Sequence, residues 1–196
     1  FLELFSEEVP ANLQKNAREI ILQNFKIFFE KENINYSNCS SFSTPNRLLI
    51  LFEKVEKEIL RKTEEIRGPN VNAPEKALEG FLKSNNIEKK EIFTKETEKG
   101  EFYFFKKLGK KIETHQLLEK NISEILTKTT WKKSMKWGEF TLNWARPLKS
   151  ILAVFGNKTL QFNYHQLRSS NFTYLDKELE EKIKIFKDFK SYQDYF

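Results

Sequence analysis

FLELFSEEVPANLQKNAREIILQNFKIFFEK, Phe1 to Lys31, decides the fold. Phe1 to Phe5 alternates apolar and charged residues, the period of a half-buried strand. Glu7 and Glu8 precede Pro10, and a proline with acids beside it suits the first turn of a helix. From Ala11 to Lys31 the residues Leu13, Ala17, Ile20, Ile21, Phe25, Phe28 and Phe29 recur at three and four, which predicts one long amphipathic helix. Asn33 to Ser41 is polar and turn-rich. Phe42 to Thr44 and Leu48 to Val55 then read as two strands around the turn pair Pro45-Asn46. Strand, helix, strand, strand opens an α+β domain, as in split βαβ units of the ferredoxin kind.

Working outward, Glu56 to Glu65 is a charge-rich connector without a period, and Arg67-Gly68-Pro69 breaks the chain before a loop at Asn70 to Pro74. Ala77, Leu78, Phe81 and Leu82 predict a short helix over Glu75 to Asn85. Gly80 inside it costs roughly 1 kcal/mol against alanine, so a close neighbour is expected there. Ile92 to Thr97 and Glu101 to Leu108 flank Glu98-Lys99-Gly100, a hairpin signal. Thr114 is placed to cap a helix whose face is Leu117, Leu118, Ile122, Ile125 and Leu126. Pro147 is expected to start another short helix, burying Leu148, Ile151, Leu152 and Phe155 and stopped by Gly156. Thr159 to Tyr164 alternates like a strand, Arg168 to Tyr174 reads as a polar loop, and Glu178 to Phe196 as a helix with Leu179, Ile183, Phe186 and Phe189 on one face. The expected organisation is an α+β unit over 1–66, a second α+β region over 67–166 with its hairpin at 92–108, and the start of a further segment at 167–196. The chain opens on Phe1 rather than Met, and no stop signal closes its last helical pattern; both read as a fragment of something longer.

Composition excludes several classes. With 39% hydrophobic and 32% charged residues the chain is globular rather than disordered. One cysteine, Cys39, excludes an internal disulfide and a cysteine-cluster metal site. The apolar runs are short and broken by charge, so no membrane span is expected, and the reduced cytoplasm is the default compartment. The six glycines fall into neither GxGxxG nor GxxxxGK[ST] spacing. His115 and His165 stand far apart with no nearby acidic motif, and the carboxylates lie mostly beside lysines on helix faces. No catalytic residue and no metal ligand is assigned.

One stretch stands out chemically. Thr127 to Ser150 holds Lys128, Lys132, Lys133, Lys136, Arg146 and Lys149 against the single acid Glu139, with Trp131, Trp137 and Trp144 interleaved. Cations for phosphates and flat rings for bases are what an RNA-contacting surface needs. The plain alternative is strand-turn-strand packing, with the rings in the core and the lysines merely solvated. The pI near 9.2 fits a polyanionic partner without demanding one. From residues alone the chain is a non-catalytic α+β module with a basic, aromatic edge; a generic single-stranded RNA binder and a protein-docking module both stay open.

A family resemblance adds to this. LELFSEEVP resembles the LLLEIGTEELP opening of the β subunit of bacterial heterotetrameric (α2β2) glycyl-tRNA synthetase. In the same order, STPNRLLILFEKV (Ser43–Val55) is similar to ATPRRLAVLVEGL, IRGPNVNAP to VKGPPVKAA, KALEGFLKSNNI to KAAEGFARSQGV, and ETEKGEFYFFKK to ETPKGEYLFARK. KSMKWGEFTLNWARPLKSILAVFG resembles KSMRWGDGDLRFVRPIHWLVALLG. The resemblance implies an N-terminal piece of a class II aminoacyl-tRNA synthetase subunit, with body-like α+β domains similar to those of archaeal CCA-adding enzymes. It implies tRNA-Gly and the α subunit as partners, and ATP with Mg used at the α subunit, with no cofactor bound by this fragment. Candidate RNA contacts are then Arg47, Lys133, Lys136, Trp137, Arg146 and Arg168, with Trp144 as a stacking or packing ring. Three departures stand out. Lys136 replaces an arginine, keeping charge but losing the planar fork; Asn46 replaces another and loses the charge. The family continues Gly-His-Arg-Phe where this chain passes from Tyr174 to Leu175, and a loop left unseen at that point is the expectation.

Overall fold

The computed structural model describes residues 1–61, 63–176 and 182–196. In chain order its elements are β1 (Leu2–Ser6), α1 (Ala11–Glu32), β2 (Asn38–Thr44), β3 (Arg47–Glu53), β4 (Glu58–Leu60), β5 (Glu64–Asn70), α2 (Glu75–Asn85), β6 (Ile92–Thr97), β7 (Gly100–Lys107) and β8 (Lys111–Glu113). Then follow α3 (Thr114–Thr127), β9 (Leu148–Phe155), β10 (Lys158–Thr159), β11 (Asn163–Tyr164), β12 (Leu167–Ser170), β13 (Phe172–Tyr174), β14 (Ile183–Ile185) and α4 (Phe189–Tyr195). The mixture of helices and largely antiparallel strands is the expected α+β class.

The chain forms two compact units, one of residues 1–59 and 113–196 and one of residues 60–112. The expected boundaries fall at 66/67 and 166/167, so the observed division is an insertion in the sequence and not a succession. In the first unit a sheet runs β11-β12-β9-β1-β3-β2, with β10 on β9. β1 pairs antiparallel with both β3 and β9, and β12 joins β9 in parallel. The opening strand is therefore central. Its five residues are all buried, because both faces of the sheet are covered.

Alternation along β1 assigns those faces. Leu2 and Leu4 share a face with their partners Ile50, Leu48, Ile151 and Ala153. Against the sheet lies α1, which ends in a left-handed Asn33 and buries Leu13, Ala17, Ile21, Phe25, Phe28 and Phe29. Phe29 meets Phe52 of β3 with ring centroids 4.6 Å apart. Burying an aromatic side chain of this size stabilises by roughly 1.5–3 kcal/mol. On the other face Leu49, Leu152 and Val154 pack under Phe186 and Tyr192.

The second unit is a three-stranded sheet, β5-β7-β6. The hairpin expected over 92–108 is there as β6 and β7, turned at Gly100 with φ +107. α2 also forms as expected, ending at a left-handed Asn86.

Several expectations are corrected. Leu148–Phe155 is strand β9 and not a helix; the run Ile151-Leu152-Ala153-Val154 is buried on both faces, where periodicity cannot tell the two apart. The helix expected over 178–196 is instead β14 and the short α4, with 177–181 outside the described residues. Arg168–Tyr174 pairs as β12 and β13 rather than looping, because β9 and β14 offer ladders to it. Thr114 is the first residue of α3 and makes no side-chain cap; its hydroxyl is buried. Nothing approaches Gly80, whereas a β-carbon on Gly68 meets Phe81 at 2.9 Å. No loop is missing at 174/175: the chain is continuous, and the Leu175 N–H donates to the Lys182 carbonyl at 2.7 Å.

Candidate nucleic-acid interface

The basic stretch at 127–150 leaves α3, closes a loop and enters β9. Two backbone bonds pin the loop: Met135 N–H to the Trp144 carbonyl at 2.8 Å and Trp144 N–H to the Met135 carbonyl at 3.1 Å. Gly138 turns it with φ +55, a conformation that side chains disfavour. The sequence explains which side faces in. Leu142, Trp144 and Ala145 are buried, and Trp144 is only 1% exposed. The Trp144 ring meets Trp131 edge-on at 4.8 Å and Tyr164 at 6.1 Å. Burial pushes the Tyr164 hydroxyl up to about 12, a hydrogen bond with Thr127 opposing it. Ala145 packs with Val9 and Leu13, and half-buried Trp131 lies against them. The indole N–H groups of Trp131 and Trp144 are both buried without a hydrogen-bond partner.

Outward-facing groups divide differently. Lys132, Lys133 and Lys136 are exposed, together with Met135 and Phe140, while Trp137 is half-buried. Arg146 is half-buried, its Nη1 donating to the Ala145 carbonyl at 3.1 Å. Thr141 Oγ1 lies 3.0 Å from His165 Nδ1, tying the loop to the β11–β12 hairpin. That hairpin carries Arg168, exposed, with Nη2 3.4 Å from Gln161 Oε1. Lys133, Lys136 and Trp137 thus share one loop, with Arg146 at its root and Arg168 on the strand pair it is tied to.

Arg47 is held elsewhere. At the start of β3 its Nε lies 3.2 Å from Glu3 Oε2, and its Nη2 donates to the Tyr174 carbonyl. The guanidinium sits over the Phe5 ring at 4.6 Å and the Phe196 ring at 4.9 Å. Glu3 itself is fully buried and also accepts hydrogen bonds from the Thr173 hydroxyl and the Tyr192 hydroxyl. Burial pushes the Glu3 carboxyl up, opposed by those donors and by the Arg47 charge. The Tyr192 hydroxyl is raised too, by burial and then by the Glu3 charge. This cluster clamps β13 and α4 to β1. Its donors point into the fold, and the cue for it in the sequence is the acid at the middle of the apolar strand Phe1–Phe5. Asn46 donates from its side-chain amide to the Ser6 carbonyl at 3.1 Å.

Other chemistry is sparse. Among the described residues no group of three or more His, Cys, Asp or Glu is placed to hold a metal. His115 Nδ1 lies 2.9 Å from Glu113 Oε2 on the surface side of α3. A cavity of about 440 Å³ in the first unit is walled by apolar residues including Phe25, Phe29, Ile122 and Leu160. No helix among the described residues is long and apolar enough to cross a membrane.

Fold and loop together define an α+β protein that presents lysines on a tryptophan-anchored segment. A family model described as glycyl-tRNA synthetase beta subunit matches residues 1–196. The chain is 39% identical over 193 residues to the glycine–tRNA ligase beta subunit of Rickettsia prowazekii (strain Madrid E), covering 98% of this chain and 29% of that protein. It is 39% identical over 193 residues to the same subunit of Rickettsia typhi (strain Wilmington), and 36% identical over 195 residues to that of Rickettsia felis, again spanning 29% of each. The chain belongs to the glycyl-tRNA synthetase beta subunit family. It spans about 29% of the length of these relatives.

Proposed function

We propose that this chain is the N-terminal part of a glycine–tRNA ligase β subunit that contributes to tRNA binding and to α2β2 assembly for ATP-dependent glycyl-tRNA formation. The observation that carries this reading is the family match along residues 1–196. The exposed Lys133 and Lys136 on a loop whose root is buried add the chemistry that phosphates call for. In this reading Lys133 and Lys136 contact phosphates, and Trp137, Arg146 and Arg168 border them. Arg47 acts indirectly, by holding the sheet together. Adenylation, with glycine, ATP and Mg, belongs to the α subunit, and the site of action is the cytoplasm.

The test uses the complete α and β subunits with tRNA-Gly. Glycylation is expected only when both are present. Lys133→Ala with Lys136→Ala is expected to weaken tRNA binding and to lower the slope of log affinity against log salt by about 0.9 for each phosphate no longer neutralised. ATP-dependent glycine activation by residues 1–196 alone contradicts the assignment of chemistry to the α subunit.

A further inference from the structure

The second unit carries a surface that charge and motif patterning alone do not single out. Strand alternation and register assign the two faces of its sheet. Phe104 of β7 lies opposite Phe93 of β6 and Arg67 of β5, and Phe102 lies opposite Lys95. These five residues therefore share one face, with Lys106 and its partner Glu65 at the end of it. Gly68 sits at the irregularity in β5 between Arg67 and Asn70, and a β-carbon there meets the Phe81 ring of α2 at 2.9–3.1 Å. On the face that carries Arg67, Phe104 is buried, while Arg67, Phe93, Lys95 and Lys106 are exposed.

Its side chains are arranged as alternating rings and cations. The Arg67 guanidinium lies 3.6 Å from the centre of the Phe102 ring. Phe93 stacks on Phe104 with centroids 6.1 Å apart and planes 26° from parallel, and Phe93 remains 38% exposed. Lys95 reaches across β7, its Nζ 5.7 Å from the Phe104 ring centre and 2.9 Å from Glu65 Oε2. Three cations on the face outweigh one acid. The surrounding unit, residues 60–112, holds thirteen Lys and Arg against nine Glu, or +4 of the chain's +6. A protein partner that buries apolar surface has little to fill here, because Phe102 and Phe104 are each already backed by a charge and Phe93 alone offers an open ring. Unpaired nucleotides fit both components: a base has a flat face for Phe93, and Arg67 can stack or meet a phosphate.

We propose that this open sheet face, built from Arg67, Phe93, Lys95, Phe102 and Lys106, is a stacking platform for unpaired nucleotides of RNA. It rests on the tRNA-binding reading and deepens it by naming single-stranded RNA, rather than a duplex, as the element received here.

The experiment uses the full-length β subunit in its complex with α. Binding of an unpaired 12-nucleotide RNA and of a 12-base-pair RNA duplex is measured by fluorescence anisotropy across a salt series. Phe93→Ala is expected to weaken the single strand about fivefold to a hundredfold, the range for removing one base–aromatic stack, and to leave the duplex unchanged. Phe93→Tyr restores binding. Arg67→Gln lowers the single-strand salt slope by about 0.7. Unchanged single-strand binding in both variants overturns the proposal, as does equal weakening for strand and duplex. Failure of α-subunit association with RNA binding intact also overturns it, assigning the face to a protein. If the wild-type complex binds tRNA-Gly and the variants bind the single strand as well as wild type, the platform fails while the tRNA-binding reading stands. If the complex does not bind tRNA-Gly at all, the broader reading fails.

Discussion

Arg47 and Arg67 each lie over a phenylalanine ring, yet they are put to opposite uses. Arg47 is enclosed between Phe5 and Phe196, beside the buried carboxylate of Glu3. Arg67 covers Phe102 from the solvent side of a sheet. A cation–ring pair is worth roughly 0.5–1 kcal/mol at an exposed site and about 2 when desolvated. The larger difference is the partner. A buried guanidinium removed from its carboxylate leaves that carboxylate uncompensated, whereas an exposed one leaves nothing behind but water. The contrast teaches that a basic residue in this chain has to be read by what faces it and not by local charge.

The largest expected effect follows directly. Arg47→Gln should cost about 3–5 kcal/mol in urea unfolding, the cost of breaking a buried pair, while Arg67→Gln stays within about 1 kcal/mol. Equal costs would erase the distinction. Trp144→Ala should cost a similar 3–5 kcal/mol, because a fully buried ring packed on Trp131 and Tyr164 leaves a cavity. Lys133→Ala and Lys136→Ala on the same segment should change stability by no more than about 0.5 kcal/mol. Tyr192→Phe removes one donor to Glu3 and should cost about 1–3 kcal/mol, read from the same denaturation curves. A further effect appears only in alkali. Above pH 10 an unfolded tyrosine ionises while Tyr164, pushed up to about 12, keeps its proton in the fold. The folded state then binds more protons, so stability is present below pH 10 and declines as pH rises toward 12. Tyr164→Phe should flatten that decline.

Much of the fold was legible because its signals are local. The strand-helix opening, the hairpin around Gly100 and the faces of α1 and α3 are periodic and carry their own boundaries. The misread elements are the ones decided at a distance. Leu148–Phe155 becomes a central strand because β1 and β12 flank it, and those lie about 150 residues back and some 15 residues ahead in the sequence. Phe186 and Phe189 read as one helical face but come to rest just after β14 and in α4, both packed on the sheet. Insertion of residues 60–112 within the sequence of the first unit is marked at its start only by the charge-rich stretch Glu56 to Glu65. At the candidate interface, the sequence showed which segment concentrates charge. It did not show that Trp144 serves the core, nor that Arg47 faces Glu3. The sheet face of the second unit was within reach: pairing Phe93 with Phe104 and Lys95 with Phe102 follows from the hairpin once its register at Gly100 is set.

Which cations meet RNA is measured most directly by lysine footprinting of the full-length β subunit mixed with the α subunit. With tRNA-Gly added, Lys95, Lys106, Lys133 and Lys136 are predicted to lose reactivity toward an amine-labelling reagent, while Lys15 and Lys26 on α1 keep theirs. Unchanged labelling of those four lysines in a complex that demonstrably holds tRNA contradicts the account.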